Sequence, residues 1–332
     1  MDFVNEMKAK AKSMRKRLVL PEGTEPRTIR AARILMDEQL AVSVTLLGKA
    51  ADIQKAAEEE GVDLSGINLV STHADSKLNN YAKVYYELRK HKGMTEEQAK
   101  LDITDQLRWG AMMVHIGDAD AMVAGAENTT GDVLRAGLSI IGMTPGLKTA
   151  SSCFVMAGMD PKWGLEGTLI FSDCAVVPDP TAEQLADIAE SAAQSCREFL
   201  NVEPVVALLS FSTKGSAQHD NITKVQTAAK ILKEKKVNFL FDGELQADSA
   251  LVASVLEKKA PNSLLRGNKV NTLVFPELGS GNIGYKLVQR LAGAEALGPF
   301  LQGFAKPISD LSRGASVDDI VTTCAVTLAR AK

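Results

Sequence analysis

PVVALLSFSTKGSAQHDNITKVQTAAKILKEKKVNFLFDGE, residues 204–244, holds the fold in miniature. The run 204–210 is apolar and rich in β-branched residues, and it ends in a polar, glycine-containing loop. A helical pattern follows, with Asp220 at the capping position, and then a second strand-like run from Val237. Strand, polar loop, helix and strand in succession require a crossover and a parallel sheet.

The same alternation spreads outward in both directions. Residues 27–39 carry Ile29, Ala32 and Met36 at helical spacing, 42–48 form a short strand ending in Gly48, and 49–61 form a helix closed by Gly61. Tyr81, Val84, Tyr85 and Leu88 make a helical stripe, and residues 120–128 and 165–173 are strand-like. Residues 180–201 form a long helix with Thr181 as its cap. Downstream, residues 247–260 and 282–293 are helical, 270–277 are a strand, and a last helix runs from about residue 316. The fold class is α/β, with mainly parallel sheets. In such sheets ligands bind beyond the carboxyl ends of the strands, so the strand-to-helix loops are where chemistry is sought.

At about 150 residues per domain, the 332 residues suggest two. Pro145 and Gly146 interrupt the pattern at one joint, and the prolines and glycines of 298–307 mark a second. Hydrophobic residues at 45% and charged residues at 24% describe an ordinary globular chain. A net charge of −3 leaves no basic excess for nucleic acid. The longest uncharged stretch, 136–147, is broken by three glycines and a proline and is too short to span a membrane. The basic N-terminus lacks the apolar segment of a secretory signal and reads as an amphipathic helix with Phe3, Met7 and Met14 on one side. Cys153, Cys174, Cys196 and Cys324 lie far apart, and His73, His91, His115 and His219 show no ligand spacing, so neither a disulfide framework nor a metal site is expected. A cytoplasmic location with reduced thiols follows.

Four loops hold candidate chemistry. AENTTGDVLRAG (126–137) offers Thr130, a permissive Gly131 and Arg135 one turn into a helix. That set suits an oxyanion, although a capped helix start uses the same residues. FSTKGSAQHD (211–220) places Ser212 and Lys214 beside a glycine, like a phosphate loop in composition but without its spacing. LGSGNIGYK (278–286) satisfies GxGxxG with Gly279, Gly281 and Gly284, but no acid follows at the distance a dinucleotide site needs. A tight glycine turn that directs Asn282, Tyr285 and Lys286 at a small ligand is the better reading. PISDLSRGASVDDIV (307–321) sets Ser312 and Arg313 before Gly314, with Asp318 and Asp319 in a first helical turn. Acids there meet the helix dipole, or Asp319 serves as a base and Arg313 as an anion clamp. Arg89 ends a helix, where cations offset the dipole, and Cys174 closes a strand as a buried thiol would.

Taken in order, RLVLPEGTEPRT, DADAMVAGAENTTGDVLRAG, TLIFSDCAVVPDPT, FSTKGSA, FDGELQADSA, VFPELGSGNIGYKLVQRL and PISDLSRGASVDDIV resemble the phosphate acetyltransferase (phosphotransacetylase) family over essentially the whole chain, in its short single-unit form. The resemblance implies reversible acetyl transfer between acetyl phosphate and coenzyme A. It also implies two three-layer α/β domains around a cleft, similar to isocitrate and isopropylmalate dehydrogenases, with residues 1–146 plus 306–332 in the first domain and 147–305 in the second. It carries the catalytic aspartate to Asp319, the serine–arginine pair to Ser312 and Arg313, the anion-binding arginines to Arg89 and Arg135, and a cleft cysteine to Cys174. In the expected mechanism Asp319, oriented by Ser312, takes the thiol proton, and the thiolate attacks the acetyl carbonyl directly. A route through an acetylated Cys174 competes with it. No cofactor is implied, since coenzyme A is a substrate, and the family is commonly homodimeric. The alternatives are a transferase of butyryl groups, an oxidoreductase of similar fold that would use Asp242, Glu244 and Asp248, and a coenzyme A binding protein without activity.

Overall fold

In the computed structural model, which describes residues 2–331, strand β1 (Arg17–Leu20) buries Leu18, Val19 and Leu20 in succession. Burial of consecutive residues means that both strand faces are covered, the condition of a parallel sheet between helix layers. β2 (Ser43–Leu47), β3 (Asn68–Val70) and β4 (Ala121–Ala124) follow, each reached through a helix. The chain divides into two compact units: Gly146–Gly303 form one, and Asp2–Pro145 together with the stretch from Phe304 onward form the other.

The middle unit holds β5 (Ser151–Ala157), β6 (Leu169–Ser172), β7 (Val205–Leu209), β8 (Leu240–Leu245), β9 (Thr272–Val274) and β10 (Glu295–Gln302) in the order β10-β5-β6-β9-β7-β8. β5 is antiparallel to both neighbours, while β6, β9, β7 and β8 run parallel. Strand parity builds the three layers. Ala207 and Leu209 enter one core with Phe154 and Phe171, whereas Val206 and Leu208 enter another with Leu185, Ile188 and Val225. The chain then returns to the outer unit as β11 (Ile308–Asp310), completing an all-parallel sheet in the order β11-β4-β1-β2-β3.

Most helices fall where the periodicity places them. Thr181 caps Ala182–Leu200 in a reciprocal capping box with Gln184. The differences have local causes. His219, rather than Asp220, caps Asp220–Lys235, its Nδ1 accepting from Asn221 N–H at 3.1 Å. Residues 247–260 split at Val252 into Ala247–Leu251 and Ala253–Lys259. Gln106–Ile116 has no readable stripe because Trp109, Ala111, Met112 and Val114 are all buried, and a helix covered on every side loses its period. Among the described residues no helix is long and apolar enough to cross a membrane.

Candidate active site

In the outer unit β11, β4 and β1 are neighbours and end at the same edge. The turn after β1 sends Glu22 under the loop after β4. Its carboxylate is 2% exposed and accepts from the backbone N–H groups of Gly125 (3.0 Å), Ala126 (2.8 Å), Glu127 (3.0 Å) and Asn128 (2.8 Å), and from Asn128 Nδ2 (2.9 Å). A buried carboxylate so fully satisfied fixes the loop around it. Gly125 sits at φ +114°, and a Cβ there would lie 2.5 Å from Asp310 Oδ1, so only glycine fits.

Arg27 ties this loop to the one after β11. Its guanidinium donates to the carbonyls of Arg313 (2.9 Å), Ala315 (2.7 Å) and Ala126 (3.1 Å), and to Glu25 Oε1 at 2.6 Å. One planar fork therefore sets the backbone that carries Ser312 and Arg313. Both side chains are exposed, and Ser312 Oγ accepts from Gly314 N–H at 3.2 Å.

Asp319 lies in the first turn of Val317–Leu328 and is exposed. Its Oδ2 accepts from Ser316 N–H at 2.9 Å and Ser316 Oγ at 2.8 Å, which closes a capping box. This corrects one expectation: the hydroxyl that holds Asp319 belongs to Ser316, three residues away and in helical register, and not to Ser312. The dipole reading and the base reading both survive, because the cap engages one carboxylate oxygen.

Thr130 and Gly131 open the short helix Thr130–Ala136, and both are exposed. Arg135 Nη1 pairs with Asp132 Oδ1 at 2.6 Å on an open surface. Arg89 ends Leu78–Arg89, is half-buried, and keeps a buried Nε without a hydrogen-bond partner. Asp310 was not singled out from sequence. It is 4% exposed; Oδ2 accepts from Thr130 Oγ1 at 2.5 Å, and Oδ1 has no partner. Burial, with Glu22 nearby, pushes its carboxyl up to about 6, against the hydrogen bonds from Thr130 and Leu311.

In the middle unit Asp173 does for the Cys174 loop what Glu22 does in the other unit. It accepts from Ala175 N–H (3.0 Å), Val176 N–H (3.2 Å) and Val177 N–H (2.6 Å). Cys174 is fully buried, and burial followed by the Asp173 charge pushes its thiol well above the ordinary range. The glycine-rich stretch is not a tight turn. Glu277 caps a helix, Leu278–Leu291, that already contains Gly279, Gly281 and Gly284. Close packing explains two of them: a Cβ on Gly281 would lie 2.3 Å from the Asp173 carbonyl oxygen and 3.2 Å from Cys174 Sγ, and one on Gly284 would lie 3.1 Å from the Phe275 ring. On this helix Asn282 Nδ2 donates to the Cys174 carbonyl at 3.1 Å, Tyr285 stacks on Phe154 at 4.1 Å, and Lys286 Nζ lies 5.7 Å from the Tyr285 ring centroid.

Ser212 and Lys214 are committed to protein partners. Ser212 is fully buried and donates to Glu244 Oε1 at 2.9 Å, while Lys214 Nζ pairs with Asp242 and donates to the Gly243 carbonyl at 2.8 Å. Burial acts to raise the Glu244 carboxyl, and donors from Gly215 N–H, Gln226 and Ser212 outweigh it and hold it below its usual range. The loop that looks like a phosphate binder is held by Asp242 and Glu244 of β8. Among the described residues no group of three or more His, Cys, Asp or Glu side chains is placed to hold a metal ion.

Sequence reasoning missed Glu22, Arg27 and Asp310. The partners that give them these roles lie about a hundred or more residues away, so nothing local marks the roles.

The profile of the family described as Phosphate acetyl/butaryl transferase matches residues 2–328. A phosphate acetyltransferase of Treponema pallidum is 58% identical over 331 residues, covering 99% of this chain and 98% of that relative. The crystal structure of a phosphotransacetylase from Streptococcus pyogenes superposes with a TM-score of 0.92 at 36% identity, over 99% of this chain and 98% of that one. A 4-hydroxythreonine-4-phosphate dehydrogenase from Klebsiella pneumoniae shares the fold alone, with a TM-score of 0.54 at 11% identity over 95% of this chain and 100% of that one.

Proposed function

Because the chain belongs to the Phosphate acetyl/butaryl transferase family, we propose that it transfers an acetyl group reversibly between acetyl phosphate and coenzyme A. The observation that carries this is the match to phosphate acetyltransferases along essentially the whole chain. Coenzyme A and acetyl phosphate are the substrates, and no cofactor takes part.

A thiol like that of coenzyme A has a pKa of about 8.5 and is mostly protonated at neutral pH. Asp319 takes its proton through Oδ1, which the cap leaves open. The thiolate attacks the acetyl carbonyl directly, and phosphate leaves. Ser312 donates to the oxyanion that develops. Arg313, Arg135 and Arg89 hold the phosphate group; the half-buried Arg89, with an unpartnered Nε, suits an acceptor-only ligand. Thr130 and Gly131 approach the same anion. Asn282, Tyr285 and Lys286 are proposed contacts for coenzyme A, and Ser212 and Lys214 shape their loop rather than touch substrate. The buried, protonated Cys174 supports direct transfer over a covalent route.

A homodimer is the proposed assembly. Ile283, Leu287 and Leu291 form an exposed apolar stripe at four-residue spacing along one helix, which supports it. Four free, buried cysteines accord with a cytoplasmic location.

The test is thioester formation from coenzyme A with acetyl phosphate and, in parallel, butyryl phosphate, followed by ultraviolet absorbance. Acetyl phosphate should give the higher kcat/KM. Preference for butyryl phosphate would move the chain to the family's other branch, and absence of turnover with either would end the reading.

A further inference from the structure

Two buried carboxylates meet at the edge formed by β1, β4 and β11, and they are built differently. Glu22 is saturated by backbone N–H groups, as a purely structural carboxylate should be. Asp310 takes one side-chain hydrogen bond, from Thr130 Oγ1 at 2.5 Å, and its Oδ1 is buried without a partner. Gly125 packs directly over that oxygen, and a Cβ there would lie 2.5 Å from it. Thr130 is exposed, so its hydroxyl joins the surface of the proposed anion site to a carboxyl that solvent does not touch.

On the proposed acetyl transfer reading, on which this inference rests, the reaction must also move a proton on the phosphate side. Inorganic phosphate as the hydrogen phosphate dianion carries one proton more than the acetyl phosphate dianion. We propose that Asp310, acting through the Thr130 hydroxyl, is the positioning residue that accepts and returns this proton.

The geometry is set for acceptance. Thr130 already donates its hydrogen to Asp310 Oδ2, which leaves the Thr130 oxygen free to accept from a phosphate O–H. In the direction that forms acetyl phosphate, a phosphate oxygen bonds the thioester carbonyl carbon and the carbon–sulfur bond breaks, its electron pair going to sulfur. The phosphate proton passes to Thr130 Oγ1 as the Thr130 hydrogen passes to Asp310. Asp319 supplies a proton to the sulfur. In the reverse direction each proton retraces its path, and between turnovers solvent resets Asp319 directly and Asp310 through the exposed Thr130 hydroxyl. The charged group that acts on Asp310 is Glu22, and Glu127 and Arg27 in turn lie around Glu22 and its loop. A carboxyl held near 6 suits exchange with phosphate at neutral pH.

The experiment is the pH profile of kcat for acetyl phosphate synthesis in the full-length protein, for the wild type, Asp310→Asn, Thr130→Val and Thr130→Ser. The wild type should lose rate as pH falls through about 6. Thr130→Val and Asp310→Asn should lower kcat roughly 100-fold, with a smaller change in KM for phosphate, and should abolish that limb. Thr130→Ser, which keeps the hydroxyl, should retain it. A limb unchanged in Thr130→Val, or a defect confined to KM or to the folded fraction, overturns the relay. If Asp310→Asn does not fold, the Thr130 pair decides alone. An inactive wild type would sink the functional reading, whereas an active wild type whose limb survives in Thr130→Val sinks only this inference.

Discussion

Arg27 donates to the carbonyl oxygen of Ala315 at 2.7 Å, across 288 residues of chain, and with the same guanidinium reaches Ala126. Two loops that never meet in sequence share one cation. Arg27→Lys keeps the charge but replaces a planar fork, whose separate nitrogens reach carbonyls on two loops, with one compact ammonium that lacks that spread. Loss of placement of Ser312 and Arg313 should lower kcat on the order of 100-fold, with a stability loss of about 2 kcal/mol. Denaturant melts and steady-state kinetics check both, and kinetics unchanged in Arg27→Lys would refute the loop-setting role.

Asp319 serves as cap and proposed base, and the two roles separate by substitution. Asp319→Ala should lose both, with a cap cost of about 1 kcal/mol and a fall in kcat of roughly 10²–10⁴. Asp319→Asn keeps an oxygen that accepts from Ser316 N–H, so its melting temperature should stay near wild type while kcat falls as far. Near-normal kcat in Asp319→Asn would reject the base assignment.

Cys174 should prove chemically idle. Its thiol is buried and protonated, so Cys174→Ala should keep kcat within roughly threefold, and rapid-quench mass spectrometry of wild type with acetyl phosphate should find no acetyl-enzyme. Trapping of such an adduct would restore the covalent route.

Asp310 makes stability depend on pH with an unusual sign. Its carboxyl is held at about 6, above the ordinary 3.8, so between those values the native state binds a proton that the unfolded state has released. The cost of burying it is absent below about pH 4, grows as pH rises, and is complete above about pH 6, reaching roughly 3 kcal/mol. Asp310→Asn carries no titrating group. Its stability relative to wild type should therefore become more favourable by up to about 3 kcal/mol from pH 4 to pH 8. Urea titrations at both values measure this, and a difference independent of pH would show that the carboxyl is not raised.

Leu287 lies 51% exposed at the centre of the stripe with Ile283 and Leu291. Leu287→Lys should shift the assembly from dimer to monomer in sedimentation velocity, with the fold intact by circular dichroism. A wild-type monomer, or a variant that stays dimeric, removes this face from the assembly.

The alternation of strand and helix was legible because each period is local: Val206 and Leu208 on one face and Ala207 and Leu209 on the other are written in consecutive letters. Thr181 announced its helix for the same reason, since a cap and its partner lie three residues apart. The motif around Ser312, Arg313 and Asp319 was legible as a string. What it could not carry was which hydroxyl binds Asp319, because Ser312 and Ser316 look alike until the helix start is placed. GxGxxG misled as a turn because Gly281 and Gly284 answer to Asp173, Cys174 and Phe275, which lie outside the motif.

By itself, then, the sequence determined the α/β alternation, the strand-end loops where the chemistry is proposed, and the motifs shared with phosphate acetyltransferases, since all of these rest on neighbours in the chain. Only the tertiary structure decided that Glu22 holds the loop after β4, that Arg27 joins it to the loop after β11, and that Thr130 meets Asp310. A carboxylate's role is set by how many donors reach it and how much water it keeps, and both are settled by residues brought together from distant strands when the parallel sheet forms.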